Sequence, residues 1–256
     1  MPKYEVVSED LYKHKYWKPN NSFNFTTNDA LCPLVIEEAA KVSLILPIAF
    51  SKIGDHFGLF LVQGLEPGNN YLVNGSGQWL PNYVPAAYRA YPFALSSAQD
   101  DQQMLCFDTD STLLSNTEGH DFFDNEGQPS AEITKTLEFL SNLSTNQQTT
   151  NSLCELLNEM DLLEPWPITI KKDKKELAVN GLYRINETKF NSLEAEPLLV
   201  LRDKGALPII FCQLISMQNL SSIVQWAKSQ SIDAALPSDL AFDYENEDGN
   251  INFDGF

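Results

Sequence analysis

Residues 79–95 read W-L-P-N-Y-V-P-A-A-Y-R-A-Y-P-F-A-L, from Trp79 to Leu95. The run holds one Trp, three Tyr, one Phe and three Pro, with Arg89 as its single charge. Each proline fixes φ and pushes the residue before it away from the helical region. Pro85 and Pro92 leave room for about two helical turns, with Pro85 suited to the first position. On such turns Ala87 and Tyr91 share one face, and so, roughly, do Tyr88 and Phe93. Rings bury much area at little entropic cost, so this segment is expected to be a buried hub. A guanidinium among aromatics stacks on them, pairs with an acid or grips an anion. Arg89 is therefore read first as an anchor paired with an acidic neighbour, and second as a ligand contact.

Outward from the hub, the pattern predicts an α+β fold: a mainly antiparallel sheet with several helices packed on it and an aromatic-rich core. Residues 33–41 read as a short helix feeding strands at 42–50, 57–62 and 71–73. Asn74-Gly75-Ser76-Gly77 is a hairpin turn into Trp79. It lacks the Lys-Ser/Thr ending of a phosphate loop. A further short strand covers 104–108. Beyond Ser130, a suitable N-cap, Ile133, Leu137, Leu140 and Leu143 repeat at helical spacing. The polar run 144–150 then predicts a broken helix or a helix pair, ending before Pro165. Residues 168–172 and 177–185 alternate like a hairpin with a charged tip at 171–176. A helix is expected over 194–202 with Gly205 to stop it. Residues 208–216 form an apolar strand or helix start, and 219–228 an amphipathic helix. This organisation gives one α+β domain over 1–230 and an acidic-aromatic tail over 231–256, either flexible or docking.

Charge excludes several functions. Thirty-five acidic against 17 basic side chains leave a net charge of −18. Nucleic acid and anionic lipid both require a cationic surface, so neither is an expected partner. The basic island Lys13-His14-Lys15-Tyr16-Trp17-Lys18-Pro19 covers an acidic surface of the same molecule or meets an anionic ligand. Cys32, Cys106, Cys154 and Cys212 are far apart without C-x-x-C spacing, which reads as buried free thiols and not as a disulfide framework or zinc site. The acidic loops 108–111 and 121–127 miss the calcium-loop pattern, and His56 and His120 lie beside Asp residues at spacings unsuited to a facial iron site. No metal and no cofactor is expected. The N-terminus has no signal-peptide pattern, and the apolar run 42–50 is too short to span a bilayer. The chain reads as cytoplasmic, with no membrane insertion; export through its C-terminus stays open.

The run Trp79…Tyr83-Val84-Pro85-Ala86-Ala87-Tyr88-Arg89-Ala90-Tyr91-Pro92-Phe93-Ala94-Leu95 resembles the signature of the bacterial SapC family, named for a gene linked to paracrystalline surface layers. Asn69-Asn70-Tyr71-Leu72-Val73, Leu105-Cys106-Phe107-Asp108, Phe122 to Gly127, Asn180 to Ile185 and Gly205 to Met217 fit in order. The resemblance spans roughly residues 10–230. Ala90 departs from it, standing where a second basic residue is expected. The resemblance implies a family and brings no catalytic residues with it.

No nucleophile elbow, H-E-x-x-H, dinucleotide fingerprint or Walker loop is present, so the motifs point away from an enzyme without deciding the matter. The first expectation is a non-catalytic interaction or accessory protein with a protein partner, related to surface layers. The alternative is a small-molecule-binding or enzymatic partner of a metabolic system, for example alongside flavin-dependent halogenase-like proteins. Candidate ligand or partner contacts are Trp79, Tyr83, Tyr88, Arg89 and Tyr91. In the tail, Phe242, Tyr244, Phe253 and Phe256 are candidate docking residues. Oligomeric state is left open.

Overall fold

The strand Ile48–Ile53, the middle of a five-stranded sheet, turns at Gly54 into its neighbour His56–Val62. Leu163–Pro165 and Tyr183–Ile185 add on one side, and Leu31–Pro33 closes the other; every pairing is antiparallel. The computed structural model describes residues 3–97, 103–172 and 175–231, so the tail residues Phe242, Tyr244, Phe253 and Phe256 lie outside the described residues. Side chains on a strand alternate between its faces, yet Phe57 to Val62 are buried without a break. This strand is therefore covered on both faces. A second sheet sets Gln103–Asp108 between Tyr4–Val6 and Phe93–Ser97, and a third sets Tyr16–Trp17 between Leu114–Ser115 and His120–Asp121. The fold is α+β, with antiparallel sheets and buried aromatic clusters.

Buried side chains form two clusters. The larger lies on the five-stranded sheet and includes Val42, Leu46, Ile48, Leu61, Leu157, Ile209 and Ile223. The smaller is centred on Tyr12, Phe93, Phe107 and Phe122. Two segments reach both. The hub contributes Trp79 and Tyr88 to the larger cluster, and Ala90 and Phe93 to the smaller. The helix Ala131–Glu159 contributes Ile133 and Leu140 to the smaller, and Leu153, Cys154 and Leu157 to the larger.

That helix is continuous, contrary to the break expected at 144–150. Its polar middle does not compete with the helix, because the hydroxyls of Thr145, Thr149, Thr150 and Ser152 donate to carbonyls four residues back. Thr150 is fully buried, and its Oγ1 also accepts the backbone N–H of Ile36 at 2.9 Å. Ser130 caps the N-terminus as its residue type predicts, accepting the N–H of Ile133.

Other expectations shift. The hub helix is one turn, Ala86–Arg89, with Pro85 as its N-cap, because Phe93 must pair with Phe107 in a strand. Tyr88 and Phe93 therefore point into different clusters instead of sharing a face. Residues 71–73 form no strand, only the single bridge Val73 to Trp79. Their backbone is satisfied otherwise: Leu72 N–H donates to Asn70 Oδ1, and Gln230 Nε2 donates to the carbonyls of Tyr71 and Val73. The expected run 177–185 divides into Lys175–Val179, paired with Ile168–Lys172, and Tyr183–Ile185 in the central sheet. The region 33–50 also divides, into the helix Ile36–Val42 and a strand that starts only at Ile48.

At the C-terminal side, Ala195–Asp203 is a helix stopped at Gly205, whose φ of +75° suits glycine. Leu207–Ser216 and Leu220–Ser231 follow as helices joined by a single 3₁₀ turn. The stretch Leu207–Gln230 is long and apolar enough to cross a membrane by length and composition, at a mean hydropathy of 1.5. The expectation drawn from the apolar run 42–50 did not include this stretch. One face of it packs into the larger cluster through Ile209, Ile210, Leu220 and Ile223, and 39% of its 18-residue apolar window is buried. Gln213 and Ser216 are fully buried on it, Gln213 donating to the Ile48 carbonyl and accepting from Ile185 N–H, and Ser216 accepting from Ile48 N–H. These contacts bridge two sheet strands whose ladder holds only the Tyr183–Phe50 pair.

The four cysteines are free thiols; Cys212 is only half-buried, the other three buried. The basic island is paired within the molecule, Lys13 with Glu9 and Lys18 with Glu118, both at 2.7 Å. The acidic loop near Asp124 is held by its own backbone, Asp124 Oδ1 accepting from Glu126 and Gln128 N–H. His56 is exposed and bonded to Glu155, and His120 lies against the Trp17 ring. Among the described residues, no three His, Cys, Asp or Glu side chains converge as metal ligands would.

Candidate functional site

The seam between the two clusters opens into a cleft of about 500 Å³. Three segments wall it. The N-terminal arm supplies Trp17 and Phe23, the hub supplies Tyr88, Arg89, Tyr91 and Phe93, and the long helix supplies Lys135, Thr136 and Phe139. Each wall is held for an identifiable reason. Trp17 sits on the middle strand of the small sheet and meets Phe93 edge-on at 5.0 Å. Gly119 lets the flanking hairpin approach it; at its φ of +142° an added Cβ would stand 2.5 Å from the Trp17 carbonyl oxygen. Tyr88 is pinned through its hydroxyl, which accepts from buried Gln63 at 2.7 Å and donates to Asp29 at 3.1 Å. Burial pushes this phenol far above its ordinary pKa, so it remains a neutral donor. Tyr91 stacks on Phe25 with centroids 3.8 Å apart and donates to Asp108 at 3.1 Å.

Arg89 is placed from behind by Glu38. This glutamate lies in the first turn of the helix Ile36–Val42, with its side chain only 6% exposed. Its Oε1 accepts the Ala86 N–H and the Tyr83 hydroxyl, both at 2.7 Å, and so caps the hub helix where Pro85 offers no side-chain cap. Glu38 Oε2 is buried without a hydrogen-bond partner. Burial first, and the bond to Glu38 second, push the Tyr83 phenol up to about 12. Arg89 Nη2 stands 3.8 Å from Glu38 Oε1, an ion pair longer than a hydrogen bond. The Arg89 side chain is 49% exposed and lies over the rings of Phe139 at 5.3 Å and Tyr83 at 5.9 Å. A guanidinium has five N–H donors, and the long ion pair to Glu38 takes up none of them in a hydrogen bond.

The expected site residues thus separate. Tyr88, Arg89 and Tyr91 line the cleft. Trp79 and Tyr83 stand behind it: Trp79 donates its indole N–H to the Tyr83 carbonyl and packs on Phe23 and Tyr88. Sequence reasoning missed Trp17, Phe23, Lys135 and Phe139. A signal for the last two existed, since Lys135 and Phe139 lie four residues apart on one helical face, beside the apolar stripe. Among the described residues Lys135 forms no ion pair and is exposed. The lining includes two cations and no carboxylate, imidazole or thiol among the described residues.

Comparison with known proteins agrees with the hub. The family model described as SapC matches residues 7–223, and the chain belongs to the SapC family. No curated protein and no solved structure matches it.

Proposed function

We propose that this chain is a non-catalytic accessory protein that holds a small-molecule ligand in the seam cleft. The observation that carries this reading is the cleft itself: a cavity of about 500 Å³ with aromatic walls and two cations in its lining. Volume and lining fit the usual ligand site, concave, largely apolar and marked by a few polar groups. Among the described lining residues no acid, imidazole or thiol accompanies Tyr88, Tyr91 and Lys135, which supports binding over turnover, because general acid–base and nucleophilic steps draw mostly on those three kinds of group. A surface-layer connection belongs to the proposal and is supported by the family relationship. Saturation-transfer NMR with a set of aromatic fragments tests it. Wild-type protein should bind members of the set saturably, and Thr136→Trp, which fills the cleft from an accessible helix position, should bind none. Equal binding by both forms would end the reading.

A second reading, docking of a protein partner, is favoured by one observation. Phe211 and Ile215, one helical turn apart, are each 49% exposed, and Leu198 and Leu199 on the preceding helix are 41% and 45% exposed. Exposed apolar groups of this size mark interaction surfaces when they cluster. Affinity capture from native cells should lose its partner with Phe211→Ser/Ile215→Ser and keep it with Thr136→Trp.

A further inference from the structure

We propose that the ligand of the cleft is a small aromatic carboxylate, its ring held between the aromatic walls and its charge met by Arg89 and Lys135; this rests on the ligand-binding reading above. Shape comes first. Trp17, Phe23, Tyr88, Tyr91, Phe93 and Phe139 bring rings from three chain segments to one cleft, a lining that rewards a flat apolar body. Charge comes second. In a chain of net charge −18, this cleft gathers two cations and no acid among its described lining residues. The wider negative field is screened beyond about 8 Å at physiological salt, so the local pair decides what binds.

Both cations line the same cleft. The Arg89 guanidinium lies 5.3 Å over the Phe139 ring, and Lys135 is one helical turn before Phe139 on the same face. Both charges therefore border one aromatic wall. Glu38 holds Arg89 only through an ion pair at 3.8 Å, longer than a hydrogen bond, since its Oε1 already takes the Tyr83 hydroxyl and the Ala86 N–H. An arriving carboxylate can accept from the guanidinium fork and from the ammonium while its ring stays among the walls. Charge-assisted bonds of this type are about twice as strong as neutral ones, so an anion should be preferred over its neutral isostere.

Three probes separate ring from charge: 2-naphthoate, 2-naphthamide and acetate, measured by calorimetry on the full chain. Naphthoate should bind about tenfold or more tighter than naphthamide, and acetate should bind far more weakly than naphthoate. In Lys135→Ala, an exposed substitution, the naphthoate preference should fall several-fold with naphthamide affinity unchanged. Arg89→Ala should abolish the preference; if that variant does not fold, Lys135→Ala alone decides. Naphthamide binding as tightly as naphthoate, with Thr136→Trp abolishing both, would overturn the carboxylate assignment and leave the cleft a ligand site. Binding of no aromatic probe by wild-type protein would overturn both.

Discussion

The two hydrophobic clusters follow different plans. The larger rests on a five-stranded sheet and is filled mostly by Leu, Ile and Val, which interdigitate in the manner of an ordinary sheet–helix core. The smaller has no sheet of more than three strands and depends on rings. Phe107 meets Phe93 at 5.2 Å and Phe122 at 5.4 Å, while Tyr12 meets Phe122 at 4.8 Å, all tilted or edge-on. The hub and the long helix cross from one to the other. Where they cross, planar side chains must be shared between two packings, and the cleft opens there. The difference teaches that the candidate site is a property of the seam and belongs to neither core.

The largest effects probe whether the seam couples the two packings. Phe107→Ala, at a fully buried ring, should cost about 3–5 kcal/mol, and Leu157→Ala in the larger cluster about 2–5 kcal/mol. In urea, each should move one common transition. Two separate steps, with each variant shifting only its own, would show that the crossing segments do not join the cores.

Glu38 tests the join more locally. Glu38→Ala leaves the Ala86 N–H and the Tyr83 hydroxyl without their acceptor and should cost about 1–3 kcal/mol in equilibrium unfolding. Glu38→Gln keeps an acceptor oxygen and should cost less. Equal stability of the alanine variant and the wild type would remove the capping role assigned to this residue.

A smaller effect is expected with alkali. Burial pushes the phenols of Tyr83 and Tyr91 up to about 12 from 10.0, with Glu38 and Asp108 respectively adding to the shift. Below pH 10 both states keep these protons, and stability is independent of them. Between 10 and 12 the unfolded chain releases protons that the folded chain retains, so stability falls as pH rises. Tyr83→Phe should flatten part of that fall, and phenolate absorbance of the folded wild type should show late-titrating tyrosines. The smallest effect belongs to Lys18→Ala. Its partner Glu118 is fully solvated, and the melting temperature should not measurably change.

Much of the architecture was legible in residue order. The helical spacing after Ser130, the stop at Gly205 and the apolar runs at 42–50 and 57–62 are local signals, and each marks an element of the fold, although the first strand starts only at Ile48. The continuity of the long helix was not legible, since whether Thr and Ser turn back on their own helix depends on what covers the opposite face. Three of the five hub candidates line the cleft, because the proline-bounded aromatic run is itself local. Its other walls lie elsewhere in the chain. Nothing near Trp17 or Lys135 announces that the two face one another's neighbours.

Residue types and their spacing by themselves determined the α+β class and the ring-rich hub, because periodicity, caps and turns act over a few residues. Only the tertiary structure decided that Glu38 caps a helix 48 positions away, that Ser216 completes the strand at Ile48 across 168, and that three segments enclose one cleft. Such contacts form where folding brings distant groups within hydrogen-bond reach, a distance that order along the chain does not encode.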